Sequence, residues 1–162
     1  MRHSLPLIMA AAALAAGPAL AQDAPETVGM ARAIEAAQGS VAGGVLEAEL
    51  ETEGGIRVYE IDIVQGGDVY EVSVDAQSGE VVSQSEQRLD SFVSGIFQDE
   101  ELQAAEAASG MLVEALTGLE QDGARIEELE LDDEDDRWVY EIEMDGGGEY
   151  HLDTGTGELV ED

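Results

Sequence analysis

The groups in this chain that could do chemistry are nearly all carboxylates. There are 38 Asp and Glu against six basic residues, with no Cys and no Lys. Thiol nucleophiles, zinc–thiolate sites and disulfides are therefore excluded. His151 is the one histidine outside the N-terminal segment, and no Ser stands at a recognisable nucleophile spacing to it, so nucleophilic catalysis has nothing to build on. Among so many acids chance pairs are unavoidable, and no pair is singled out for acid–base work. The one dense run, Asp132-Asp133-Glu134-Asp135-Asp136, offers the hard oxygens that Ca²⁺ takes but lacks the Asp-x-Asp-x-Asp-Gly spacing of an EF-hand. Its plainer reading is a solvated hairpin turn, matched in position by Thr52-Glu53-Gly54-Gly55. The expectation is a protein that is not an enzyme, with no cofactor and no assigned metal ligands. An acidic, Ca²⁺-binding periplasmic protein is the alternative.

The six basic residues are Arg2, Arg32, Arg57, Arg88, Arg125 and Arg137, and the formal charge is -32. At that charge approach to nucleic acid or an anionic membrane is repulsive, and no basic patch exists to hold phosphates. The acidity reads first as a solvated surface, much of its self-repulsion screened over about 8 Å in physiological salt. Its sharper reading is a basic partner or a cation.

Residues 1–21 read as an export signal: Arg2 gives a positive start, Leu5 to Ala16 is apolar apart from Pro6, and Ala19-Leu20-Ala21 supplies the small-x-small pattern. Cleavage after Ala21 places the mature chain in the periplasm or the medium. The apolar run is shorter than the roughly 20 residues that spanning needs, so no membrane span is expected after removal of the signal. No Cys follows it, which argues against a lipoprotein.

What must position the acids is a stretch written twice. Arg57-Val58-Tyr59-Glu60-Ile61-Asp62-Ile63 recurs as Arg137-Trp138-Val139-Tyr140-Glu141-Ile142-Glu143-Met144. Each copy runs on through a Gly-rich turn and an alternating segment to an Asp-x-x-x-Gly-Glu tail, Asp75 to Glu80 and Asp153 to Glu158. Before the first copy, Met30, Ala33, Ile34 and Ala37 form one face of a helix, with Thr27 as its cap and Gly39 as its end. Three strands follow: Val45 to Glu51 with Leu46, Ala48 and Leu50 inward, then Tyr59, Ile61 and Ile63 inward, then Tyr70, Val72 and Val74. Glu80-Val81-Val82 is a short exit strand. In the second copy Leu112, Ala115, Leu116 and Leu119 make the helix stripe, on a helix beginning near Asp99 or Glu100. Leu129 and Leu131, then Trp138, Tyr140, Ile142 and Met144, then Tyr150 and Leu152 face inward, leaving His151 on the opposite face.

The predicted fold is α+β: two tandem copies of a helix packed on a three-stranded antiparallel sheet, after a cleaved signal peptide. The divisions are 22–86, a linker at 87–98, and 99–162. The spacing from the repeated Tyr to the tail Asp is three residues shorter in the second copy, a change expected in its hairpin loop. At about 60 residues per unit a lone core is marginal, so the units are expected to pack together. Between them Ser83 to Arg88 reads as a flexible polar linker. Leu89, Phe92, Val93, Ile96 and Phe97 then fall at helical spacing. That stripe either covers the seam between the units or is a partner-binding face.

The helix-strand-strand-strand order, Val58-Tyr59-Glu60-Ile61, the tail Asp75-Ala76-Gln77-Ser78-Gly79-Glu80-Val81 and their second copies, with Asp153-Thr154-Gly155-Thr156-Gly157-Glu158-Leu159, resemble the PepSY domain found in metallopeptidase propeptides. The first copy departs from the pattern with Ser78 where Thr is usual and with a short, Ala-rich helix. The resemblance implies a non-enzymatic exported module of a family proposed to inhibit or chaperone peptidases and to bind protein partners outside the cytoplasm. It carries over no catalytic residue.

Overall fold

The apolar faces of both copies close on one another across one sheet. A computed structural model describes residues 26–87, 99–135 and 137–161. Its elements in chain order are α1 (Met30–Ser40), β1 (Gly44–Glu53), β2 (Ile56–Gln65), β3 (Asp68–Asp75), β4 (Val81–Gln87), α2 (Asp99–Leu119), a 3₁₀ turn (Gln121–Gly123), β5 (Ile126–Glu134), β6 (Arg137–Met144), β7 (Glu149–Asp153) and β8 (Leu159–Glu161). The helix stripes fold as their spacing predicts: Met30, Ala33, Ile34 and Ala37 on α1 and Leu112 and Leu116 on α2 are fully buried. They meet the inward residues of the strands, among them Tyr59, Ile61, Ile63, Leu129, Tyr140 and Ile142.

Two expectations about the sheet are corrected. Among the described residues each copy has four strands rather than three, because the exit segment lengthens into β4 and its counterpart β8. Ser83–Gln87, read from composition as linker, pairs along β3 from Ser73↔Ser83 to Val69↔Gln87. A strand at an edge needs partners for its backbone, not an apolar side-chain face, so polar Ser and Gln suit it. Second, the copies do not carry separate sheets. One antiparallel sheet of eight strands runs β4-β3-β2-β1-β5-β6-β7-β8.

The join has a simple symmetry. Bulges at Val45/Glu47 and Ile126/Glu128 occupy matching places, since Glu47 pairs Asp62 just as Glu128 pairs Glu143. Across the join the pairs are Glu47↔Glu130, Ala48↔Leu129 and Glu49↔Glu128. Each copy thus presents equivalent residues to the other, about an approximate two-fold axis beside Ala48 and Leu129.

The copies also lock through their helices and bulges. The hydroxyl of buried Tyr140 donates to the Val45 carbonyl at 2.7 Å, at the bulge of the other copy. Its equivalent, Tyr59, donates instead to Thr27 Oγ1 at 3.1 Å. Thr27 is therefore not the cap of α1. Gly29 holds that position without a side-chain cap, and Glu120, just past the end of α2, accepts from the Met30 N–H at 2.6 Å and the Ala31 N–H at 3.2 Å. An acid at a helix N-terminus satisfies orphan donors and meets the positive end of the helix dipole. Replacing Glu120 by Ala is expected to cost about 1–2 kcal/mol in denaturant unfolding, and Glu120→Gln less, because the amide oxygen still accepts.

Gly39 does not end α1, which continues through Ser40 before Val41 turns extended. The three-residue difference between the copies is also placed differently from expectation. The β2–β3 ladder has eight pairs and the β6–β7 ladder five, so the shortening is taken from the strands while the loop grows to Met144–Gly148. The Met144 N–H bonds the Gly148 carbonyl at 3.0 Å to close it.

Candidate functional site

Both helices cover one face of the sheet, and alternation sends the acids to the other. Following cross-strand partners, one row reads Ser85, Glu71, Asp62, Glu47, Glu130, Glu141, His151, Val160. The adjacent row reads Ser83, Ser73, Glu60, Glu49, Glu128, Glu143, Glu149. The approximate two-fold exchanges the rows, with His151 standing where the first copy has Ser73. Like charges directly opposite in a sheet are destabilising, typically by a few tenths of a kcal/mol per pair or more. Here five carboxylates follow one another in each row.

The chemistry of the face follows from this crowding. Burial, then Glu71, pushes the Asp62 carboxyl up to about 6. Its Oδ1 is buried without a hydrogen-bond partner. Glu47 is raised first by burial and then by Glu130, Asp62, Glu128 and Glu49. Glu49, Glu60 and Glu141 are raised by burial first and by neighbouring acids after it. Glu47, Glu49, Glu60 and Asp62 line a small cleft of about 50 Å³ in the first copy's half of this face.

His151 is on the outer face, as alternation predicts, yet it does not simply point to solvent. Its Nδ1 lies 3.1 Å from Glu134 Oε2 and its Nε2 2.9 Å from Glu149 Oε1, with the side chain about 20% exposed. The hydrogen bond to Glu149 leads the rise in its pKa, opposed by burial and helped by Glu134. Sequence reasoning passed over this clamp. Aligning the copies and seeing His151 opposite Ser73, among acids present in both, would have flagged it.

Asp132, Asp133 and Asp135 of the acidic run are exposed, and Asp135 takes a positive φ of 51° at the tip of the β5–β6 hairpin. Glu134, also of this run, reaches His151 on β7. Trp138, expected to face inward, packs against the core, and its carbonyl accepts from Thr154 N–H and Oγ1. The candidate partner residues Leu89, Phe92, Val93, Ile96 and Phe97 lie outside the described residues, as do residues 1–25. Among the described residues no helix is long and apolar enough to cross a membrane.

The two tails, which looked like a signature, form one turn twice. Asp75 Oδ1 accepts from Gln77 N–H, Ser78 N–H and Ser78 Oγ at 3.0, 2.7 and 3.0 Å. Asp153 Oδ1 accepts from Gly155 N–H, Thr156 N–H and Thr156 Oγ1 at the same three distances. Ser78 therefore does what Thr156 does. These bonds hold both Asp carboxyls below the usual range, and Gly79 and Gly157 each take φ 73°, which only glycine adopts freely. A second cavity, about 490 Å³, opens beside the α1 N-terminus and is lined by Thr27, Gly29, Glu120, Arg125 and Asp145.

Comparison with known proteins bears on the repeat. No curated protein matches the chain. A crystal structure of a candidate lipoprotein from Clostridium difficile 630 is similar at 20% identity and a TM-score of 0.45, over 86% of this chain and 97% of that one. The PepSY family, described as "Peptidase propeptide and YPEB domain", matches twice, at residues 27–84 and 102–162. Those spans hold both hairpins and both tails, and the chain belongs to the PepSY family as a tandem pair of its domains.

Proposed function

We propose that this protein is an exported, non-catalytic PepSY module that binds a basic protein partner through its carboxylate face and restrains a peptidase outside the cytoplasm. The observation that carries the reading is the double row of acids paired with acids across the middle of the sheet. A surface that opposes folding is offset by a partner of opposite charge, and such a field also speeds encounter with that partner. Export is supported by the character of residues 1–21, and a peptidase as partner by the propeptide description of the family.

The test is affinity capture on immobilised mature chain from periplasmic extract, followed by peptidase assays on the eluate with and without added chain. The expected result is saturable retention of a basic peptidase, released by about 0.5 M salt as the Debye length falls to a few Å, with activity reduced by the chain. A variant with Glu47, Glu49, Glu128 and Glu130 changed to Gln should lose most of the retention. Retention unchanged in that variant, or no saturable partner, sinks the reading. The same assay on Phe92→Ser/Phe97→Ser assigns the aromatic segment: lost retention at unchanged melting temperature puts it in the interface.

A further inference from the structure

We propose that the second copy holds a divalent metal ion of borderline softness, Zn²⁺ being the fitting probe, between Glu134, Glu141 and His151. One donor atom from each of these three side chains lies within 4.8 Å of the others, and all three are half-buried on the outer face. The His151 Nδ1 to Glu134 Oε2 distance is 3.1 Å. That is close to the edge of about 3.3 Å that a tetrahedral ion with bonds of about 2.0–2.2 Å requires. The three residues come from neighbouring strands, β5, β6 and β7, so the ladder fixes their relative positions.

Two further observations point to a metal rather than to carboxylate crowding alone. The ring nitrogen facing away from Glu134 is held by Glu149 at 2.9 Å. Metal-bound histidines almost always donate their other N–H to such an acceptor, which fixes the tautomer and orients the ring. Beside the imidazole a cavity of about 210 Å³, lined by Glu134, Arg137, Val139 and His151, leaves room for water to complete the coordination. Arg137, the cation on its rim, is engaged by Asp153 at 3.2 Å.

The other copy isolates the group that matters. Glu53, Glu60 and Glu71 stand at the positions of Glu134, Glu141 and Glu149, but Ser73 replaces the imidazole and bonds Ser83 at 2.7 Å. Acids alone are common to both copies and would at most suit Ca²⁺. An imidazole among carboxylates suits Zn²⁺ and its neighbours in the transition series. The assignment is independent of any partner, and it gives the acidic run a member, Glu134, whose role differs from that of the exposed aspartates.

The experiment is calorimetric titration of the mature chain with ZnCl₂ in metal-free buffer containing 150 mM NaCl, repeated with His151→Ser, Glu141→Gln and Glu149→Gln. Thermal melting first confirms that each variant is folded. His151→Ser installs the residue the first copy already uses and leaves every acid in place. One saturable site per chain is expected, weakened at least a hundredfold by His151→Ser and about tenfold by Glu149→Gln, as for loss of an outer-shell partner. Co²⁺ in place of Zn²⁺ should give visible absorption bands that the His151→Ser variant lacks. Zinc binding of equal strength and stoichiometry in the wild type and His151→Ser, or only weak multi-site heat in both, overturns the proposal and leaves His151 as an ion-paired surface residue.

Discussion

Alanine at Gly44 is expected to destabilise the protein by about 3 kcal/mol, the upper end of what overpacking a core does. Gly44 opens β1 at the point where α2, a helix of the other copy, crosses it. A methyl there would be driven into the backbone of Ala105 and Glu106, well inside the 3.0 Å that Cβ atoms essentially never breach. The obstacle is main chain, so no rotamer change relieves it, and α2 would have to lift away from β1. Ala105, Ala108 and Leu112, all fully buried, lie along the part of α2 that would move. At roughly 3–4 °C per kcal/mol for a domain of this size, the melting temperature should fall by about 10 °C. Gly110→Ala is the control in the same helix. It is exposed with nothing within 4 Å of the added carbon, and should stabilise by up to about 1 kcal/mol through helix propensity alone. Equal small effects at both positions would mean that α2 does not sit against β1 as described.

The second large effect is a dependence on pH opposite to the usual acid destabilisation. Asp62 is held at about 6 in the folded chain against an ordinary 3.8, so between those values the folded protein binds the proton that the unfolded chain has released. Stability from this group is full below about pH 4 and is lost as pH rises through about 6. Glu47, Glu49, Glu60 and Glu141 are shifted in the same direction. His151, raised by its contact with Glu149, likewise contributes below its ordinary 6.5 and loses that contribution as pH climbs through its folded value. Asp75 and Asp153 work the other way. Their carboxyls are lowered, so their contribution holds above the ordinary carboxylate range and fails only in stronger acid. The melting temperature is therefore expected to be higher near pH 5 than at pH 7.5, and to rise with NaCl at pH 7.5 as the repulsion is screened. Asp62→Asn removes the largest single contribution and should gain about 2 kcal/mol at pH 7.5 after allowance for solvent screening, with a flatter pH profile. A melting temperature that falls from pH 7.5 to pH 5, or a destabilised Asp62→Asn at pH 7.5, would refute the repulsive face.

Both effects bear on what could be read in advance. The inward residues were legible because their information is local. A period of two places Tyr59, Ile61 and Ile63 on one face, and spacing of three and four places Met30, Ala33, Ile34 and Ala37 on another, whatever the rest of the chain does. The acids on the outer face were legible for the same reason, one residue out of step. Their crowding was not. It arises because Glu47 meets Glu130 and Glu49 meets Glu128, pairs separated by some eighty positions along the chain. The capping of α1 was hidden from local spacing for a similar reason. The true acceptor, Glu120, is adjacent in space and 90 residues away in sequence.

By itself, then, the amino-acid sequence determined the duplicated unit, its PepSY character, the helix stripes and the side of the sheet on which the carboxylates stand. Each of these follows from spacing along a short stretch, where side-chain chemistry and backbone period act together. Only the tertiary structure decided that β1 and β5 fuse the copies into one sheet, that α2 lies over Gly44, and that His151 sits between Glu134 and Glu149. The free edges of β1 and β5 offer backbone N–H and C=O groups that are alike in every residue, so no side-chain pattern names their partner. The partner is chosen by which pairing lets both helices bury their apolar faces on the same side at once.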